Sequence, residues 1–112
     1  MTLSPEDEKL VTLARTSRAR NQSERGAAVR DLDGRTYVAI SVSLPSLEIG
    51  ALDLAVAMAI SSGATGLEAG AAVVSGSGQA IVDLNTVREL AGTDVPVYVA
   101  DGDGTIVSVR TS

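Results

Sequence analysis

The chain has no histidine, no cysteine, no tryptophan and no phenylalanine, and its two tyrosines are its only aromatic residues. Without histidine there is no Ser-His-Asp or Cys-His relay, and no imidazole base that titrates near neutral pH. Without histidine and cysteine together the usual zinc sites are excluded, because they draw most of their ligands from imidazole and thiolate. Disulfides are impossible, which suits a cytoplasmic protein. Basic charge is scarce as well. Nine Lys and Arg stand against fourteen Asp and Glu, a net charge of −5, so nucleic acid is not an expected partner. Long apolar runs are missing too. The longest weakly polar stretch, Ala51 to Ile60, is too short to cross a bilayer and carries Asp53, and the acidic N-terminus is unlike a secretory signal. No membrane association is expected.

What is present suffices for one folded domain spanning residues 1–112, since 45% of the chain is hydrophobic and only 21% charged. The charge is unevenly spread. Residues 1–35 hold seven of the nine cations and balance at +1, whereas residues 36–112 balance at −6. Such polarity can steer a partner or pair subunits, but a solvated helix face is its commoner cause.

Ser4-Pro5-Glu6-Asp7 starts a helix: Ser4 caps it, Pro5 suits the first turn, and the acids face the positive end of the dipole. Its apolar stripe is Leu10, Leu13 and Ala14, and it ends near Arg20. Two strands, Gly26 to Val29 and Thr36 to Val42, read as a hairpin joined by Asp31-Leu-Asp-Gly34. Residues 47–62 are apolar on nearly every side, which predicts a buried helix stopped by Gly63. A third strand covers Leu67 to Val74, a loop follows at Ser75-Gly-Ser-Gly78, and a helix runs from about Ile81 to Ala91. Strands at Val95 to Ala100 and Thr105 to Val109 flank a second turn, Asp101-Gly-Asp-Gly104. The third and fourth strands flank a helix and should therefore run parallel.

Few motifs could carry chemistry. The two Asp-x-Asp-Gly runs resemble the opening of a calcium loop. That loop needs Gly at its sixth position and Glu at its twelfth, where this chain has Thr36 and Val42, or Ile106 and Ser112. Both read as hairpin turns. Ser75 to Gly78 could cradle a phosphate, but a dinucleotide fingerprint would need Gly at position 81, which is Ile, and no Walker lysine follows. Asp53, a carboxylate in the apolar helix, is expected to face solvent or pair with an Arg sooner than to act in catalysis.

The element order and several short stretches resemble the cytidine deaminase family, including its small blasticidin-type members. Gly26-Ala-Ala-Val29 is similar to that family's Val-Gly-Ala-Ala strand, and Ser41-Val-Ser-Leu-Pro-Ser46 to its Asn-Val-Glu-Asn-Ala-Ser segment. Val87-Arg-Glu-Leu-Ala91 and Asp94 to Ala100 look like its closing helix and strand. The resemblance implies a three-layer α/β/α domain with a mixed sheet of about five strands, one helix on one side and two on the other.

The family's chemistry is missing where the likeness is best. A Cys or His followed by Ala-Glu should open the central helix, but the chain has Gly50-Ala-Leu52 or, two residues on, Leu52-Asp-Leu54. The family's Pro-Cys-x-x-Cys falls on Gln79-Ala-Ile-Val-Asp83, which puts Ala80 and Asp83 at the thiolate positions. Neither the metal that activates water nor the proton-shuttling carboxylate is implied. Ser41 and Ser43 stand where the family holds a ribose with Asn and Glu, and Ser23 where it has an aromatic residue. The remnant pocket would therefore gather Ser41, Ser43, Gly50, Leu52, Asp53, Ala80 and Asp83. The family assembles through the face of its central helix, which nominates Leu54, Ala55 and Met58 as interface residues of a homo-dimer or homo-tetramer.

Three readings follow. The first is a noncatalytic, cofactor-free homo-oligomer that binds or scaffolds an unknown protein partner. The second is a nucleoside or nucleotide sensor that uses the remnant pocket. The third is a working deaminase with a metal held by carboxylates. The first leads.

Overall fold

The computed structural model describes residues 3–75 and 82–112. Helix α1 (Pro5–Asn21) begins as its sequence dictates, with Ser4 Oγ accepting a hydrogen bond from the Asp7 N–H at 3.2 Å. Strands β1 (Arg25–Asp31) and β2 (Thr36–Ile40) pair antiparallel across the first Asp-Gly turn. Gly34 takes a φ of +85° there, as such a turn requires.

The chain then departs from the sequence-based expectation. The second strand stops before Ser41 instead of reaching Val42. A small hairpin follows, β3 (Val42–Leu44) against β4 (Leu47–Ile49), with Val42 opposite Ile49. Helix α2 spans Ala51–Ser61, so it starts four residues later than predicted. Pro45 and Ser46 supply a turn, the β-branched pair suits strands, and Gly50 is an extended helix cap instead of a poor interior helix residue.

Strand β5 (Leu67–Val74) has the predicted bounds. Helix α3 (Asn85–Ala91) is shorter than expected. Ile81 lies outside the described residues, and Val82 to Leu84 are not helical because Asp83 Oδ1 accepts the Asn85 N–H at 2.8 Å, which fixes a turn ahead of the helix. Strands β6 (Pro96–Ala100) and β7 (Ile106–Thr111) complete a five-stranded sheet of order β2-β1-β5-β6-β7. The sheet is mixed: β5 and β6 run parallel across α3, and the other pairs are antiparallel.

Alternation along the strands divides the core in two. Ala28, Ala71 and Val73 meet Leu10, Val11 and Ala14 of α1 on one face. Val29, Val74, Val97 and Val99 meet Leu52, Val56 and Ala59 of α2 and Val87 of α3 on the other. The result is the three-layer α/β/α arrangement with one helix opposite two. Small side chains in the central strands make the layers close. Gly26 admits the α1 backbone, since a Cβ there would lie 2.3 Å from the Ala14 carbonyl oxygen.

A polar cluster fastens the start of α1 to the sheet. Asp7 accepts from Arg30 Nη2 at 2.9 Å and from the Tyr98 hydroxyl at 2.6 Å, while Arg30 Nε donates to Glu68 at 2.7 Å. Burial, then the hydrogen bond to Asp7, pushes the Tyr98 phenol up to about 12. Tyr98→Phe is expected to cost about 1 kcal/mol in urea denaturation, because the hydrogen bond goes to a carboxylate that keeps its Arg30 partner. No helix of the described residues is long and apolar enough to cross a membrane.

Candidate functional site

The start of α2 lies beside the first residues of β1 and the segment that leads into α3. Together they enclose an open cavity of about 150 Å³, lined by Arg25 and Gly26, by Gly50 through Asp53, by Ala72 and Val74, and by Val82 and Asp83. A wider cleft of about 710 Å³ adjoins it and shares Arg25 and Gly50. The hairpin β3–β4 supplies one wall of that cleft, and Ser23 and Ser41 supply another. The two serine hydroxyls are hydrogen-bonded to each other at 2.9 Å.

Of the residues singled out from sequence, Ser41, Ser43 and Gly50 line the wider cleft. Gly50, Leu52, Asp53 and Asp83 line the smaller cavity. Ala80 lies outside the described residues, as do positions 76–78 of the Gly-Ser loop. Arg25 belongs to both cavities and was not anticipated. Its only sequence signal is its place at the edge of a strand, next to the glycine that resembles a family motif.

Asp53 does not behave as expected. It is half-buried and accepts a hydrogen bond from the Thr86 hydroxyl at 2.8 Å, where the sequence pointed to solvent or an arginine. Asp83 is exposed, and its Oδ1 is engaged by the Asn85 N–H. These are the two carboxylates at the smaller cavity. Among the described residues no three Asp or Glu side chains gather as a metal site would need, and the chain supplies no imidazole or thiolate. Zinc does not fit this donor set.

The proposed interface residues divide. Met58 is exposed and Leu54 half-buried, but Ala55 is fully buried against the sheet and offers no surface to a partner. Helical spacing explains this correction, because Ala51, Ala55 and Ala59 are four apart and share the inward face. The outward face is carried by Ala57, Met58 and Ile60, the last 54% exposed. Leu44 and Leu47, opposite each other in the small hairpin, are exposed as well. Both Asp-x-Asp-Gly runs are turns: Asp31 and Asp101 each turn a carboxylate oxygen onto the backbone N–H groups two and four residues ahead.

Residues 3–104 match the family described as cytidine deaminase-like. Among solved structures, cytidine deaminase from Burkholderia pseudomallei superposes with a TM-score of 0.74 at 21% identity, covering 98% of this chain and 92% of that one. Cytidine deaminase from Mycobacterium leprae gives 0.68 at 20% identity, covering 93% and 91%. The enzyme from Bacillus anthracis gives 0.68 at 13% identity, covering 94% and 82%. No curated protein sequence matches the chain.

Proposed function

The chain belongs to the cytidine deaminase-like family, and within it we propose a noncatalytic, zinc-free member that works by binding, as a homo-dimer or homo-tetramer in the cytoplasm. One observation carries the reading. At the cavity beside α2 the carboxylates are Asp53, bonded to Thr86, and Asp83, bonded to the Asn85 backbone, in a chain without histidine or cysteine. Hydrolytic deamination needs a metal-activated water and a carboxylate to move its proton. Leu52 and Leu54 are apolar, and Asp53 is tied to another helix.

The test is direct. Purified protein is expected to contain no stoichiometric zinc by elemental analysis and to form no uridine from cytidine above the buffer blank. Zinc at one ion per chain together with uridine formation would overturn the reading. The oligomer rests on the apolar outward face of α2, where Met58 and Ile60 are exposed. Sedimentation velocity in the micromolar range should show a dimer or tetramer, and Ile60→Glu should shift it toward monomer. A wild-type monomer would refute that half.

A second reading is nucleoside or nucleotide sensing. It is favoured by the contiguity of the two cavities at Arg25 and Gly50 and by the hydroxyls of Ser23, Ser41 and Ser43 in the wider one. Its volume of 710 Å³ is that of an ordinary small-molecule site. A ligand bound to the folded state must raise its melting temperature. No shift with any nucleoside or nucleotide at millimolar concentration would eliminate sensing and leave the first reading standing.

A further inference from the structure

We infer that the Asp53–Thr86 hydrogen bond is a metal-independent clasp that holds α3 to α2 at the edge of the cavity where this fold would otherwise carry its metal. The inference rests on the zinc-free reading and adds to it an account of what replaces the metal as a cross-link. A metal bound by the opening of the central helix and by the segment ahead of the next helix would join those two elements. In this chain the same two elements are joined by protein atoms alone. Asp53 lies in the first turn of α2, Thr86 in the first turn of α3, and the carboxylate accepts from the hydroxyl at 2.8 Å across 33 residues of sequence.

Helix α3 needs such a tie. It has seven residues and one fully buried side chain, Val87, and a helix so short does not hold its shape unaided. Its approach is braced from the opposite side, where Arg110 of β7 donates to the Val82 carbonyl oxygen. The Asp83 turn fixes the residues between the two braces. Asp53 also lines both the 150 Å³ cavity and an outer groove of about 300 Å³ between α2 and α3, so the clasp forms part of the wall between them. Opening it would let the two spaces run together.

Thr86→Val removes the hydroxyl and keeps the branched shape. Amide exchange of residues 82–90 and of the first turn of α2 should quicken by about five- to tenfold, the equivalent of one lost hydrogen bond, while exchange in β1 stays unchanged. Thr86→Ser, which keeps the donor, should hold exchange near the wild-type rate. A chelator should leave the wild-type melting temperature where it was. Unchanged exchange in Thr86→Val overturns the clasp and leaves the zinc-free reading intact. A chelator that lowers the wild-type melting temperature overturns the zinc-free reading, and the replacement of a metal with it.

Discussion

Gly26→Ala is expected to lower the melting temperature by at least about 10 °C, the consequence of overpacking that costs about 3 kcal/mol in a domain of this size. The added Cβ would lie 2.3 Å from the Ala14 carbonyl oxygen, 2.9 Å from the Arg18 Cβ and 3.2 Å from the Arg18 nitrogen. Two of those three atoms are helix backbone, so no side-chain rotation relieves the contact. Helix α1 would have to lift from β1, which would loosen Leu10, Val11 and Ala14 from the sheet. Gly50→Ala is the control. Its Cβ meets nothing within 4 Å, and its φ of −71° suits any residue, so only a weak helix cap changes and the expected loss is a few tenths, ~0.5 kcal/mol. Thermal melts of both variants followed by circular dichroism decide the matter. If the two melted alike, the close approach of α1 to β1 would not be limiting.

The contrast between these glycines shows how far the sequence could be read. Strand β5 and the two Asp-Gly hairpins were legible because alternation, β-branched residues and positive-φ glycines are local signals. The cap of α1 was legible for the same reason. The boundary at Gly50 was not. A run that is apolar on every side fits a short strand as well as a helix, so β4 was absorbed into α2 until the pairing of Val42 with Ile49 separated them. The same uniformity hid the phase of α2, because the seven residues between Asp53 and Ser61 are all apolar and none marks its outward side. That is why Ala55 was placed on a surface it does not reach. Thr86 as the partner of Asp53 was beyond sequence reasoning, since packing alone brings the two together. The absence of zinc ligands was the plainest signal, because composition excludes them without any structure.

Asp31→Ala is expected to lower the melting temperature by about 10 °C, because it removes at once a buried carboxylate and the acceptor of two backbone N–H groups and the half-buried Tyr37 hydroxyl. Asp31 is the one buried charged residue among the described residues. Its Oδ1 accepts the N–H groups of Asp33 and Arg35, each at 2.9 Å, and its Oδ2 accepts the Tyr37 hydroxyl at 2.8 Å. Asp101 makes the same two backbone contacts in the second turn, at 3.1 Å, but on the exposed side of the molecule with no tyrosine. Asp101→Ala should therefore cost less, since that carboxylate is not buried and its loss frees no tyrosine hydroxyl; equal losses would show that burial is not what sets the scale. The same groups govern acid stability. Burial alone would raise the Asp31 pKa, but the Tyr37 hydroxyl and then the Arg35 and Asp33 N–H groups outweigh it and hold the carboxyl below its usual range. The Thr105 hydroxyl, at 2.6 Å, brings Asp103 down to about 2. Both carboxylates are held lower in the folded state than in the unfolded chain. Their contribution is therefore complete above the unfolded carboxylate value of about 4 and is lost as the pH falls toward 2. Melting temperatures measured across that window should fall steeply for the wild type and less steeply for Asp31→Asn/Asp103→Asn. Asparagine keeps an acceptor oxygen for the backbone and has no proton to take up. Parallel slopes for the two proteins would locate the acid sensitivity in other carboxylates.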